Sequence, residues 1–417
     1  MRGFFTPRRE VRRHRPRPVG LALLAVTTCL TSCAAPARAT HPPPRADPVA
    51  TYGAPPREGA SPERRLAAQA FGVAEGKLPW DEALSAAATI LAGRAHVEGR
   101  ASAAVDPEEI RLAQARTGAV MADFHPFVVR AGTVAAAIQR LREAAEKLPA
   151  DPRRRVGLGV AEGKDGATVV LLLATVGARI DPLPSVLASG AKVSISGALV
   201  GGLREPALSI TSPRGDARDV RLEARPDGSF RADARFDVKG RWWVEVLGRD
   251  ARGPSVAALL PIHVGEPIPR RAEAQPQVAE PKDVAAKERI LADEANRLRR
   301  SRGLAPLIVD PVLGRVARAY AEELRATGRF AHVSAISGDV RARLERSGYA
   351  FARAGENLAQ APTAKQAHRS LVQSPAHLAV LTHPSWREAG FGVALVDPDG
   401  ATPSVIVVEV FAAPAAQ

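Results

Sequence analysis

The hydrophobic pattern divides the chain into stretches of different period. From 66 to 180 and again after 284, apolar positions recur at three- and four-residue intervals and then give way to short apolar runs such as Val169 to Leu173 and Val405 to Val408, which predicts amphipathic helices feeding strands. Between them, residues 184–265 alternate with a period of two. Lys192-Val-Ser-Ile-Ser196, Ala207-Leu-Ser-Ile-Thr211, Val220-Arg-Leu-Glu-Ala224, Arg241 to Val246 and Val256 to Val264 read as strands, with Pro226-Asp227-Gly228-Ser229 as a turn. Alternation at this spacing over about eighty residues predicts a small β-sandwich. Trp242 and Trp243 are adjacent, so one is expected in the core and the other is a candidate binding aromatic.

Two proline-rich segments interrupt the pattern. Residues 34–65 and 266–283 are expected to be a tether and a linker, setting apart a region at 284–412. At the start, Val19 to Leu30 is apolar but too short to span a bilayer, and seven arginines lie among the first 20 residues, as in an export signal. Leu30-Thr31-Ser32-Cys33 then resembles a bacterial lipobox, which implies a signal over 1–33, a lipid on Cys33 and a membrane-anchored place in the cell envelope. Cys29 would leave with the signal, so the mature chain would contain no disulfide.

The composition, 46% hydrophobic and 24% charged, is that of a globular protein with room for two to three domains. Part of the formal charge of +14 belongs to the start, since the first 20 residues hold those seven arginines against Glu10 alone and leave about +8 for the rest. No basic stripe with interleaved aromatics is visible, which argues against nucleic-acid binding.

The last third carries the candidate chemistry. Phe330-Ala-His332, Gly355-Glu356-Asn357-Leu358 and Ser374-Pro375-Ala376-His377 each sit beside a turn, and a compact fold that gathered them would suit a divalent cation. With Asp293-Glu-Ala-Asn296-Arg297, Gly303-Leu304-Ala-Pro306-Leu307 and Glu388-Ala-Gly390-Phe-Gly392-Val393, these motifs resemble the CAP superfamily of cysteine-rich secretory, antigen 5 and pathogenesis-related 1 proteins. The resemblance implies an α-β-α sandwich with a cleft lined by two histidines and two glutamates. His332, Glu356 and His377 match three of these positions, and Gln373-Ser374 stands where the second glutamate would be. Such a cluster is expected to hold one divalent metal, zinc or calcium, and the expected ligand is a lipid, a polysaccharide or a protein.

Other readings of these residues remain open. His332 could cap a helix end, Glu356 could be a first-turn acid with Asn357 as its cap, and His377 sits in the first turn behind Ser374 as N-cap and Pro375, a place that favours a neutral imidazole. His368, His383 and Glu388 match no family position and are expected at the surface.

The first region echoes the last. Gly157-Leu-Gly159-Val-Ala161 repeats Gly390-Phe-Gly392-Val-Ala394, Leu84 and Ala88 keep the spacing of Leu313 and Ala317, and Arg111 to Gly118 keeps that of Arg341 to Gly348. The offsets of 229, 230 and 233 residues predict a degenerate CAP-like copy near 66–176 in a multidomain α+β chain. In that copy Ser102 stands for His332 and Pro126 for Glu356, and nothing in Glu143 to Pro149 supplies the second histidine, so no metal site is expected. The expected function is that of an envelope binding module, with a metal-dependent hydrolase and a structural scaffold as alternatives.

Overall fold

The computed structural model describes residues 50–54, 62–71, 79–99, 105–145, 151–273, 280–398 and 403–415. The signal expected at 1–33, Cys33, Ser102, the Asp399-Gly-Ala-Thr402 part of the echo and most of the tether lie outside them. Residues 48–417 form one compact unit.

The first region runs β1 (Thr51–Tyr52), α1 (Pro62–Phe71), α2 (Glu82–Val97), α3 (Pro107–Thr117), β2 (Asp123–Ala131), α4 (Val134–Ala145), β3 (Arg154–Gly163) and β4 (Gly166–Thr175). Its three-stranded sheet has the order β2-β4-β3. β1 falls inside the stretch expected to be a tether. Tyr52 is buried and its hydroxyl donates to the Pro261 carbonyl at 2.7 Å, so a single aromatic anchors a proline-rich segment whose composition alone reads as extended.

The central region follows as β5 (Ala178–Ile180), β6 (Leu183–Pro184), β7 (Val186–Leu187), β8 (Ala191–Leu199), β9 (Arg204–Thr211), β10 (Ala217–Val220), β11 (Leu222–Ala224), β12 (Ser229–Phe236), β13 (Gly240–Asp250) and β14 (Gly253–Val264). A five-stranded sheet, β10-β9-β13-β14-β7, and a four-stranded sheet, β11-β12-β8-β5, share one core. Along β12 buried Phe230, Ala232, Ala234 and Phe236 alternate with more open residues, as a strand with one wet face requires. On β13, by contrast, Trp242 to Val246 are all buried. Trp242 belongs to the shared core, while the opposite face is covered by the C-terminal region. Neither tryptophan is free to bind a ligand, contrary to the expectation for one of them: Trp243 is 6% exposed, with the Arg241 guanidinium 4.8 Å from its ring centre.

The C-terminal region comprises α5 (Val284–Ser301), β15 (Ile308–Val309), α6 (Pro311–Thr327), α7 (Val340–Arg346), β16 (Phe351–Ala361), α8 (Ala364–Gln373), α9 (Pro375–Leu381), β17 (Glu388–Val396) and β18 (Ser404–Pro414). The sheet order is β15-β17-β18-β16. Residues of α5, α8 and α9 share one apolar cluster with the sheet, and residues of α6 and α7 share another. α6 shows how local sequence sets this up. Asp310 caps its start, Pro311 occupies the first turn, Gly328 ends it at φ 63°, and Leu313, Val316, Ala317, Tyr320, Ala321 and Leu324 form its buried stripe.

Apart from the two-residue strands β1 and β15, the first and last regions share an order of elements: three helices, strand, helix or helix pair, strand, strand, with the final strand in the middle of the trio. Gly390 and Gly392 of β17 lie against the backbone of α6 at Leu313 and Ala317, and Gly157 and Gly159 of β3 lie in the same way against α2 at Leu84 and Ala88. The register agrees as well. Glu356 and Gly390 both pair with Val410, as Pro126 and Gly157 both pair with Leu172.

Candidate functional site

His332 lies just beyond α6, in a segment fastened at both neighbours. The Tyr320 hydroxyl donates to the Ala331 carbonyl at 2.5 Å, and the Val333 amide donates to the Arg252 carbonyl of the central region at 3.0 Å. Nδ1 of His332 donates to Oε1 of Glu356 at 2.9 Å.

Glu356 stands in the middle of β16 rather than at a helix start, so it is not a first-turn acid, and His332 turns its ring to a carboxylate rather than to helix carbonyls. The second oxygen of Glu356 is taken by Arg343 of α7, whose guanidinium also lies 3.4 Å from the centre of the Tyr320 ring. A buried carboxylate is thereby neutralised by one fixed cation and left with a single direction in which to hold an imidazole. Burial pushes the Tyr320 hydroxyl up to about 12, so it remains a proton donor.

His377 is held differently. Ser374 ends α8 and caps α9, and Pro375 opens α9. The Ser374 hydroxyl lies 2.5 Å from Nδ1 of His377 and donates to Oε1 of Glu245 on β13, while the Ala376 amide donates to Oε2 of Glu245 at 2.6 Å. Desolvation, and secondarily the nearby His332, push the His377 pKa down to about 3, so its imidazole is neutral at ordinary pH. Glu245 is fully buried, and that burial pushes its carboxyl up to about 7.

Behind His377, Asn357 donates to the His377 carbonyl and to Oε2 of Glu409, both at 3.2 Å. Glu409 is fully buried, and Nδ1 of His368 lies 3.8 Å from its Oε1. His368 is therefore not the surface residue expected from sequence. It lies on the buried stripe of α8, where a carboxylate from β18 faces it. Glu388 and His383 are only partly exposed, and each has a partner, Tyr349 and Arg353 respectively.

The sequence identified His332, Glu356 and His377, and the structure places His332 on Glu356 and close enough to His377 to oppose a charge there. It did not identify Arg343, Tyr320 or Glu245. An acid between two valines in Val244-Glu245-Val246 was the available signal for the last of these. Among the described residues no group of three or more His, Cys, Asp or Glu side chains is placed to hold a metal ion. Both oxygens of Glu356 are engaged, so the donors that face away from these carboxylate contacts are the two Nε2 atoms. That set fits a cation bound by two imidazoles and solvent better than one bound directly by Glu356.

The C-terminal region is a mixed α+β unit with helices on both faces of its sheet and two histidines beside β16, at one end of the strand order. Residues 292–411 match the sequence profile of the CAP family, described as the cysteine-rich secretory protein family, and this region has CAP-domain homology. The chain is 27% identical over 113 residues to the uncharacterized protein YkwD of Bacillus subtilis (strain 168), covering 27% of this chain and 44% of that protein, less than half of the relative's length. Among solved structures, an outer surface protein from Borrelia burgdorferi is similar at 22% identity and a TM-score of 0.29, covering 32% of this chain and 96% of that one. An extracellular protein containing an SCP domain from Bacillus anthracis str. Ames is similar at 14% identity and a TM-score of 0.29, covering 74% and 93% respectively.

Proposed function

We propose that this chain is an exported envelope protein whose CAP region binds a ligand or partner at the His332 and His377 imidazoles. The observation that carries this reading is that the acids and the hydroxyl beside the two rings are committed to holding them. Glu356 is shared between His332 and Arg343, and Ser374 gives its proton to Glu245 while facing Nδ1 of His377. A hydrolase working through metal-bound water would need a carboxylate free to take its proton, or a serine whose proton passes to the histidine. Neither requirement fits this arrangement, so binding ranks above the hydrolase. A divalent cation on the two Nε2 atoms, with Glu356 behind His332, is the finer form of the reading, and lipid, polysaccharide and protein surfaces are its ligand classes.

The other finer points belong to the same reading. The two central sheets form a β-sandwich, and the shared element order, glycine seats and register support a degenerate CAP-like copy in the first region, with Pro126 in the register position of Glu356. The copy is a structural partner rather than a second site. A lipid on Cys33 would hold the chain at the membrane.

The test is metal content and turnover of the full mature chain. After incubation with zinc and removal of the excess, the wild type is expected to retain about one ion, and the His332→Ala/His377→Ala variant none. Neither protein is expected to show chelator-sensitive cleavage of peptide or ester substrates. Such cleavage, lost in His332→Ala, would replace the binding reading with the hydrolase, whereas equal ion retention in the two proteins would remove the imidazoles from the site.

A further inference from the structure

Glu245 has no counterpart in the motifs of the C-terminal region, yet it is the acid nearest in chemistry to His377. It sits in mid-strand on β13, pairing across to Leu259 and Ser209, and it is fully buried. A carboxylate in that setting requires hydrogen bonds to both oxygens, and both come from the start of α9: the Ser374 hydroxyl and the Ala376 amide.

Ser374 is not serving the helix alone. Its oxygen is 3.5 Å from the His377 amide, the contact expected of a cap, but 2.5 Å from the His377 ring nitrogen. The order of protons then follows from the chemistry of the three groups. At pH 8 Glu245 is ionised and its carboxylate only accepts, so the serine proton points to it. The serine oxygen then has only lone pairs to offer Nδ1, so Nδ1 bears the ring proton and Nε2 keeps its lone pair.

We propose that Glu245, supplied by the central region, is a positioning residue for His377: acting through the Ser374 hydroxyl, it fixes the imidazole as the Nδ1–H tautomer and presents Nε2 as the free donor. Glu356 does the same for His332 by direct contact. The two rings are thus oriented by two carboxylates of different origin, one from within the CAP region and one from outside it. This inference rests on the imidazole-pair reading above only for the identity of what Nε2 meets.

Replacing Glu245 by glutamine reverses the order of protons. The amide oxygen takes the Ala376 N–H, the amide nitrogen donates to Ser374, and the serine proton turns to Nδ1, leaving the ring proton on Nε2. The experiment is long-range ¹H–¹⁵N NMR of the ¹⁵N-labelled full mature chain at pH 8, with the His377 signals identified by their loss in His377→Gln. The wild type is expected to show a protonated Nδ1 and a bare Nε2, Glu245→Gln the opposite, and Ser374→Ala a mixture of the two. Zinc affinity, titrated on the same samples, is expected to fall about 10- to 100-fold in Glu245→Gln. An Nε2–H tautomer in the wild type, or the wild-type tautomer persisting in folded Glu245→Gln, overturns the proposal. If Glu245→Gln does not fold, Ser374→Ala decides, and an unchanged tautomer there is equally fatal. A wild type that takes up no zinc but whose tautomer flips in Glu245→Gln supports the positioning role and instead removes the metal from the function proposed above.

Discussion

Glu245 leaves a signature in stability as well as in the site. Its carboxyl titrates at about 7 in the fold because burial disfavours the charge, against an ordinary value of 4.5. Below 4.5 both folded and unfolded chains hold the proton. As pH rises, the unfolded chain releases it first, so ionisation favours unfolding until the folded value is passed. The cost between these limits is on the order of 3 kcal/mol. Glu245→Gln should therefore gain stability relative to the wild type by about that amount between pH 4 and pH 8, as read from urea unfolding at both values. A difference independent of pH would show that the buried acid keeps its ordinary ionisation. Of the residues around the rings, His332, Glu356 and His377 were legible because each lies in a short motif. Arg343 and Glu245 were not, since an arginine in a helix and an acid in a strand acquire their roles only when distant segments pack.

At the scale of elements, the contact of β17 with α6 depends on missing side chains. A Cβ on Gly390 or Gly392 would lie 2.0 or 2.2 Å from α6 backbone carbons, and one on Gly157 or Gly159 would lie 2.3 or 2.1 Å from those of α2. Backbone cannot move aside as a flexible side chain can. Gly392→Ala and Gly159→Ala should each cost about 1–3 kcal/mol, whereas Gly314→Ala, on α6 with open space at its Cβ, should stabilise by up to about 1 kcal/mol. Denaturant midpoints of the three variants check this, and a harmless Gly392→Ala would mean that the helix and strand are not seated as described. The amphipathic helices were readable from their spacing. β16 was less so, because Phe351-Ala-Arg-Ala-Gly-Glu-Asn357 lacks strand alternation and is held extended by its pairing with β18.

In the whole molecule, three regions meet at polar contacts. Glu108 of α3 pairs with Arg241 of β13 and accepts from Gln373 of α8 at 3.1 Å, while Gln114 of α3 donates to the Leu259 carbonyl of β14 at 2.8 Å. Glu108→Ala should cost on the order of 1 kcal/mol, and a double-mutant cycle with Arg241→Ala should return a coupling of about 0.5 kcal/mol or more. Additive effects would mean that this junction does not bind the regions together. The change of texture between regions was visible in the pattern of the chain, but their mutual packing was not, because it rests on single polar side chains that carry no period.

The docking of α9 on β13 separates what touches a ligand from what tunes it. The acid that faces Ser374 lies 129 residues upstream of it. Two chains identical throughout their last third can therefore differ in how they hold a ligand, according to what the middle third places at one strand position. Diversification of such a protein need leave no trace in the segment by which its kinship is recognised.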